Sequence, residues 1–330
     1  MKNILITGAA GFIGSYLSKR LIEENYNVIG IDNLSDYYDI TLKENRIKDL
    51  YNKDNFTFIK EDINNYDLVK NIFDKYKPNI VIHLAASAGV RYSSVNPDLY
   101  INNNINGFYN ILKLSKEYNI EHFIFASSSS IYGNCNKLPL KEEYVTINQE
   151  SIYASTKLCD ESIACSFSKI FNMPVTAIRP FTVYGPFGRP DMAYFSFTNN
   201  LLNKKEISLY NNGDLKRDYT YISDAIDGIY SIIINKPKDL YNVYNIGGSK
   251  QYTTKDLINI LKRELIDNKL VDSNYNFDEY IKFTSMNKGE VYETYADISK
   301  MKKDFNYNPK ISLEEGIKNF IKWYKDYYNK

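Results

Sequence analysis

Cysteine is scarce in this chain: Cys135, Cys159 and Cys165 are an odd three with no C-x-x-C spacing. That excludes a disulfide framework, gives no zinc signature and fits a reducing cytoplasm. Histidine is scarcer still. The two residues, His83 within one apolar run and His122 at the start of another, read as structural, so no metal site is expected. Neither sign of charge dominates: 41 basic and 40 acidic residues leave a formal net charge of +1 with no block of like charge. The electrostatic footprint of a nucleic-acid or anionic-membrane partner is therefore missing, and the expected partner is small. No apolar run is long enough to span a bilayer. Met1 leads almost at once into Ile4-Leu5-Ile6 and then glycines, which is too short for a signal peptide.

What is present is a chain of 330 residues, ample for a large α/β domain with a smaller lobe. Its first third alternates short β-branched runs with helical patterns: Asn3–Ile6, a helix over Phe12–Glu24, Asn27–Ile31, Phe56–Ile59, a helix near Leu68–Lys75, and Ile80–His83. Such alternation is the signature of a doubly wound parallel sheet, the Rossmann arrangement. Further strands at His122–Ala126 and Val175–Pro180, with helices near Leu99–Tyr118 and Ser151–Phe171, extend the sheet to six or seven strands. The reading is a dinucleotide-binding Rossmann domain over residues 1–180, with elements near 220–248 returning to it. Residues 181–330 form mainly a smaller C-terminal α/β substrate-binding lobe, opened by the breaks at Gly185-Pro186 and Arg189-Pro190.

The run Gly8-Ala9-Ala10-Gly11-Phe12-Ile13-Gly14 follows a strand and opens a helix, the context that makes a glycine pattern a phosphate-binding hypothesis. Glycine permits the turn, lets backbone N–H groups approach a pyrophosphate and places that anion at the positive end of a helix. The spacing, G-x-x-G-x-x-G, departs from the G-x-G-x-x-G fingerprint. Asp32 ends the second strand, where an acid accepts from the adenine ribose hydroxyls and repels a 2′-phosphate, favouring NAD over NADP. The competing account makes Asp32 the start of a polar turn with Asn33 and Ser35.

Tyr153 and Lys157 stand four apart on a predicted helix and share a face, so the ammonium can stabilise a phenolate that removes a proton. With 31 tyrosines in the chain, the pair alone is not distinctive. Its setting is: the run Ser127-Ser128-Ser129-Ser130 closes the preceding strand, followed by Ile131-Tyr132-Gly133, and its hydroxyls can bind a sugar oxygen.

These motifs in register resemble the extended short-chain dehydrogenase/reductase family, the NAD-dependent sugar epimerases and dehydratases, over essentially the whole chain. The resemblance implies that Tyr153 is the catalytic base, that Lys157 partners the cofactor ribose, and that Ser128, five before Gly133, is the catalytic Ser/Thr. It also implies an adenine contact at Asp62-Ile63, a pyrophosphate-side loop at Leu84-Ala85-Ala86, a supporting polar residue at Asn104, and a homodimer packed through Ile105, Phe108, Ile163 and Phe167. A buried core role for those four is the alternative.

Within the family, 4,6-dehydratases carry adjacent acids after the catalytic Ser/Thr, and uronate decarboxylases keep a glutamate at the second of those places; Ser129 and Ser130 stand there. The phrases Asp32-Asn33-Leu34-Ser35-Asp36-Tyr37-Tyr38, Ala88-Gly89-Val90-Arg91-Tyr92-Ser93 and Thr182-Val183-Tyr184-Gly185-Pro186-Phe187-Gly188-Arg189-Pro190-Asp191-Met192 resemble UDP-glucuronate 4-epimerases. The implied reaction takes the C4 hydride to NAD, lets the 4-keto sugar rotate and returns hydride to the opposite face. The intermediate is a β-keto acid whose carboxylate must be restrained. Ser129, Ser130, Thr182 and Arg189 are the expected restraints, although Arg189 could instead be a loop arginine paired with Asp191. Arg217 resembles the family's diphosphate ligand, and Arg91 lies in a family phrase near the sugar without a defined role. The alternatives are a 4-epimerase of another UDP-hexose, a dehydratase or decarboxylase, and, outside the enzymes, a non-catalytic NAD sensor.

Overall fold

The computed structural model describes residues 1–285 and 291–330. Along the chain run β1 (Asn3–Thr7), α1 (Phe12–Glu23), β2 (Asn27–Asp32), α2 (Ile40–Ile47), β3 (Phe56–Lys60), α3 (Tyr66–Tyr76) and β4 (Ile80–His83). Next come α4 (Tyr92–Val95), α5 (Pro97–Tyr100), α6 (Phe108–Glu117), β5 (His122–Ala126), α7 (Ile152–Phe171), β6 (Val175–Pro180), β7 (Thr182–Tyr184), α8 (Ala193–Leu202) and β8 (Ile207–Tyr210). The remainder is β9 (Lys216–Tyr221), α9 (Ile222–Ile234), β10 (Tyr241–Ile246), β11 (Gln251–Thr253), α10 (Thr254–Asp267), β12 (Ile281–Thr284), α11 (Ser299–Phe305) and α12 (Leu313–Tyr328).

Seven strands form one parallel sheet in the order β10-β6-β5-β4-β1-β2-β3. Ile4, Leu5 and Ile6 of β1 have no exposed surface, because helices cover both faces and an all-parallel sheet has no side left for water. One apolar layer sets α1, α9 and α11 against the sheet; the other packs α3, α6 and α7 on its opposite face. A third cluster, rich in aromatic rings, joins α8, α10 and α12 in the lobe around the small sheets β11-β9-β7 and β12-β8. The strand order reverses between β1 and β4, and in open α/β sheets a ligand lies at the carboxyl ends of the strands flanking such a point.

The helix expected near Leu99–Tyr118 is present without a break, but its winding changes. Residues Ile101–Gly107 are wound as a π-helix between α5 and α6, a form frequent at functional sites. Both histidines are buried, paired with threonine hydroxyls and neutral. His83 Nδ1 lies 2.8 Å from Thr7 Oγ1 and His122 Nε2 lies 2.8 Å from Thr176 Oγ1, and burial pushes each ring down to about 3. Among the described residues no group of His, Cys, Asp and Glu could hold a metal ion, and no helix is long and apolar enough to cross a membrane.

Candidate active site

The glycine turn sits at the strand reversal, and its glycines are required by close approach. Gly8 has φ +73°, and a Cβ there would lie 2.7 Å from Ala85 N. A Cβ at Gly14 would collide with the Gly8 carbonyl oxygen, and one at Gly11 would lie 2.9 Å from it. The loop Leu84-Ala85-Ala86 is thereby pressed against the turn, with Leu84 N donating to the Thr7 carbonyl and Ala85 N to Thr7 Oγ1. Helix α1 opens at Gly11 with no capping side chain and no acid in its first turn. Its leading amides and its positive dipole end therefore suit a pyrophosphate. Phe12 and Ile13 contribute backbone here, because the Phe12 side chain is in the core and Ile13 packs against it.

Asp32 is held by its own turn. Oδ1 accepts from Leu34 N at 2.9 Å and Oδ2 from Ala10 N at 3.1 Å, so the carboxylate is tied both to the polar turn and to the glycine turn. The polar turn is thus present, and the carboxylate it holds stands at the end of β2. Asn33 donates to Asp62 Oδ2 at 2.8 Å, which joins the ends of β2 and β3 where an adenosine would lie. Ile63 packs beneath Gly107, where a Cβ would stand 2.6 Å from Ile63 Cδ1, leaving its backbone as the group it can offer. Asn104, expected as a supporting polar residue, acts on protein groups. It is fully buried in the π-helix, accepts from Ser87 N at 2.8 Å, and donates to the Ser87 carbonyl and to Thr156 Oγ1, both at 3.0 Å. Its amide is spent bracing the loop after β4 against the helix that carries Lys157. These residues together fit a dinucleotide: a crowded turn without side chains, an uncapped helix start and a fixed carboxylate at the end of β2.

Helix α7 starts sharply because Ser151 Oγ caps Ala154 N at 3.1 Å. Tyr153 is therefore on the first turn, half-buried, with its ring edge-on to Tyr100 at 6.1 Å. Lys157, one turn on, is 1% exposed, and its Nζ donates to Asp160 Oδ2 at 3.1 Å. Sequence reasoning missed Asp160, which is wholly buried and whose Oδ1 has no partner among the described residues. Burial pushes its carboxyl up to about 7, with Lys157 opposing the shift. A carboxyl raised in the folded state adds stability that is complete below its unfolded pKa and is lost as pH rises through the folded value. Asp160→Asn is therefore expected to gain stability relative to the wild type between about pH 4 and 7, by at most about 1.4 kcal/mol per pH unit. Urea unfolding at pH 4.5 and pH 7.5 (about two points across that window) measures this; a difference that is flat or falls with pH would refute it.

Ser128 lies two residues past the end of β5 and caps a short turn, accepting from Ser130 N and donating to Ser130 Oγ, each at 3.1 Å. Ser129 and Ser130 are half-buried hydroxyls. Helix α7 is clamped to β6 by a buried bidentate pair that the sequence did not reveal, Arg179 Nε and Nη2 to Glu161 at 2.8 and 2.7 Å.

Arg189 is paired with Asp191. Its guanidinium forms a fork with Asp191 at 3.0 and 2.5 Å, as the plainer reading expected, and Nη2 also reaches the Ala88 carbonyl at 3.3 Å. Burial works against its charge, but the Asp191 carboxylate outweighs that and keeps it cationic. The arginine lies beside Gly89 and Tyr100, and Tyr100 packs against the Tyr153 ring. Tyr100 in turn donates to the Gly89 carbonyl at 2.8 Å. Thr182 opens β7, opposite Tyr219 on β9. Arg217 stands on that same β9, and its Nη1 donates to the Lys216 and Tyr292 carbonyls. Arg91, at the head of α4, stacks on Tyr210 of β8 at 4.6 Å and so bridges to the lobe. Of the four residues of the expected dimer seam, Phe108 is fully buried in the core under β5, while Ile105, Ile163 and Phe167 are half-buried.

A family model described as GDP-mannose 4,6 dehydratase matches residues 5–320. The chain belongs to that family, one of the extended short-chain dehydrogenases/reductases. Among members of this family, the chain is 40% identical to a UDP-glucuronate 4-epimerase of Thermodesulfobacterium geofontis, over 98% of this chain and 96% of that one. The crystal structure of UDP-glucuronic acid 4-epimerase from Bacillus cereus, in complex with UDP-glucuronic acid and NAD, superposes with TM-score 0.90 at 35% identity, covering 99% of this chain and 100% of that one. UDP-glucose 4-epimerase from Thermotoga maritima, with UDP-glucose, gives TM-score 0.86 at 30% identity and 99% coverage of both chains. The dehydratase description of the family does not decide the reaction, since the acids its dehydratases need after Ser128 are serines here.

Proposed function

We propose that the protein interconverts UDP-glucuronate and UDP-galacturonate by inverting C4 of the sugar, with NAD held tightly throughout the cycle. The observation that carries this reading is the placement of a cation near the base: Arg189 stands with Tyr100 beside Gly89, and the Tyr100 ring packs edge-on against Tyr153 at 6.1 Å. A neutral hexose has no use for such an arginine, whereas a C6 carboxylate needs one.

Bound NAD would supply a reversible hydride acceptor for C4, and the glycine turn, Asp32, Asn33, Asp62 and Lys157 are the residues to hold it. Tyr153 accepts the 4-hydroxyl proton as general base with Ser128 donating to the same oxygen, and Lys157 stands one turn further along α7. The phenol returns its proton to O4 when the face of the sugar has changed, so the cycle releases no net proton. Ser129, Ser130 and Thr182 offer hydroxyls to the carboxylate, and Arg189, exchanging its Asp191 partner for the substrate, offers a planar fork that fixes orientation as well as charge. Arg217 takes the diphosphate, and Arg91 lines the sugar end of the cleft through its stack on Tyr210.

We further place the enzyme in the cytoplasm, as a homodimer that provides a uronate donor for polysaccharide biosynthesis. Supporting the dimer is an apolar strip of Ile101, Tyr109, Ile170 and Phe171, each more than two-fifths exposed, beside half-buried Ile105, Ile163 and Phe167.

The test uses the purified protein without added cofactor. UDP-glucuronate followed by NMR is expected to yield a mixture with UDP-galacturonate, and acid denaturation to release NAD. UDP-glucose run in parallel is expected to turn over far more slowly. Preference for UDP-glucose would move the assignment to a neutral-hexose epimerase, and no product with either sugar would leave a dinucleotide sensor.

A further inference from the structure

The loop that presents Arg189 is held in an unusual way. Four consecutive carbonyls, those of Gly185, Pro186, Phe187 and Gly188, accept from side chains: Tyr194 Oη at 3.2 Å, Tyr16 Oη at 3.1 Å, Arg46 Nε at 2.8 Å and Arg46 Nη2 at 3.0 Å. Phe187 is left-handed at φ +57°, a conformation a bulky residue holds only when its surroundings impose it. Gly188 admits no side chain, since a Cβ would run into the Tyr194 hydroxyl.

Arg46 lies on α2 and is 9% exposed. Besides the two loop carbonyls, its Nη1 donates to the Ala10 carbonyl of the glycine turn at 3.2 Å and to Tyr38 Oη at 2.5 Å. Ala10 is the residue whose N–H holds Asp32. A single buried guanidinium thus bonds the backbone that would carry the dinucleotide and the backbone that aims Arg189. A planar fork with several fixed donors is the side chain that can join segments in this way; a lysine offers a point charge.

We propose that Arg46 is a positioning residue that couples the two halves of the site, so that grip on the sugar carboxylate and retention of the dinucleotide each strengthen the other. The inference rests on the reading of Arg189 as the carboxylate's partner. Its physical content is a reciprocal coupling: the factor by which a uronate tightens dinucleotide binding is the factor by which the dinucleotide tightens uronate binding, and a slower loss of the dinucleotide is its kinetic sign. Without Arg46 the loop keeps its tether from Tyr16 on α1, but the glycine turn's own carbonyl at Ala10 loses its link to the Arg189 loop.

The experiment follows the NAD remaining on holoenzyme during prolonged dialysis, in the presence of UDP-glucuronate or of UDP, which lacks the carboxylate. In the wild type, UDP-glucuronate is expected to slow NAD loss about fivefold or more relative to UDP. In Arg46→Met and in Arg46→Lys, which keeps the charge but not the fork, the ratio is expected to fall to near one. A ratio unchanged in both variants, or a wild-type ratio of one, overturns the coupling. A residue of merely structural weight would lower the melting temperature of the variants and leave the ratio intact, which also overturns it. The assignment of the reaction is judged apart from this, by whether the wild type forms UDP-galacturonate.

Discussion

Tyr153→Phe is expected to lower kcat for UDP-glucuronate by about 10²- to 10⁴-fold, the range removed with a general acid–base group, while NAD content and substrate affinity change little. The variant deletes one hydroxyl. The ring keeps its edge contact with Tyr100, Ser151 still caps α7, and Lys157 keeps its bond to Asp160. Binding and chemistry should therefore separate: KM near the wild-type value, kcat collapsed. Lys157 cannot substitute, because it is buried against Asp160. Rate assays over pH 6–9 (roughly the range around neutrality in which such a base must work), with NAD measured on the denatured variant, check the prediction. Retention of more than a tenth of wild-type turnover would remove Tyr153 from the role of base.

Arg189→Ala is expected to reduce kcat/KM for UDP-glucuronate by about 10²- to 10³-fold, the effect of a few kcal/mol when a partly buried charged partner is lost. It is also expected to divert some turnover to carbon dioxide and a UDP-pentose. The second effect follows from the chemistry of a β-keto acid. Carbon dioxide leaves when the bond from C5 to the carboxyl carbon stands perpendicular to the 4-keto plane, so that its electrons can enter the carbonyl. A carboxylate pinned by a fork cannot reach that orientation; one held by hydroxyls alone can. Arg189→Lys therefore separates charge from geometry: affinity partly restored, leakage still present. Trapped labelled carbon dioxide and NMR of the sugar nucleotides read the two effects independently. An alanine variant with wild-type KM and no released carbon dioxide would return Arg189 to the role of a loop residue paired with Asp191.

How much of this was legible beforehand differs from residue to residue. The glycine turn, Asp32, the Ser128 turn and the Tyr153-Lys157 pair are patterns of short range, and the forces behind them act over a few residues. A turn must accept positive φ, a helix must start, and i,i+4 side chains must share a face. Such requirements leave their mark on neighbouring positions, so they survive in a linear reading. The π-helix at Ile101–Gly107 did not, because its apolar spacing resembles that of an ordinary helix; what winds it is the demand that Asn104 brace Ser87 and Thr156. Phe108 had the spacing of a surface seam yet lies in the core beneath β5, since one apolar side chain cannot declare which of two faces it will meet.

Arg46 and Asp160 mark the same boundary. Arg46 meets Gly188 across 142 positions of chain, and nothing near it in sequence distinguishes it from other cations on surface helices. Asp160 is one acid in a helix that carries several, and burial alone separates it from the rest. The sequence by itself determined the parallel sheet, the glycine turn, the Tyr153-Lys157 pair on one helix, and through long matching phrases the kind of sugar. Only the tertiary structure decided that the Arg189 loop and the glycine turn are fastened to one guanidinium. Hydrogen-bond directions across the interior are set by how elements pack, and packing partners far apart in the chain share no local pattern to read.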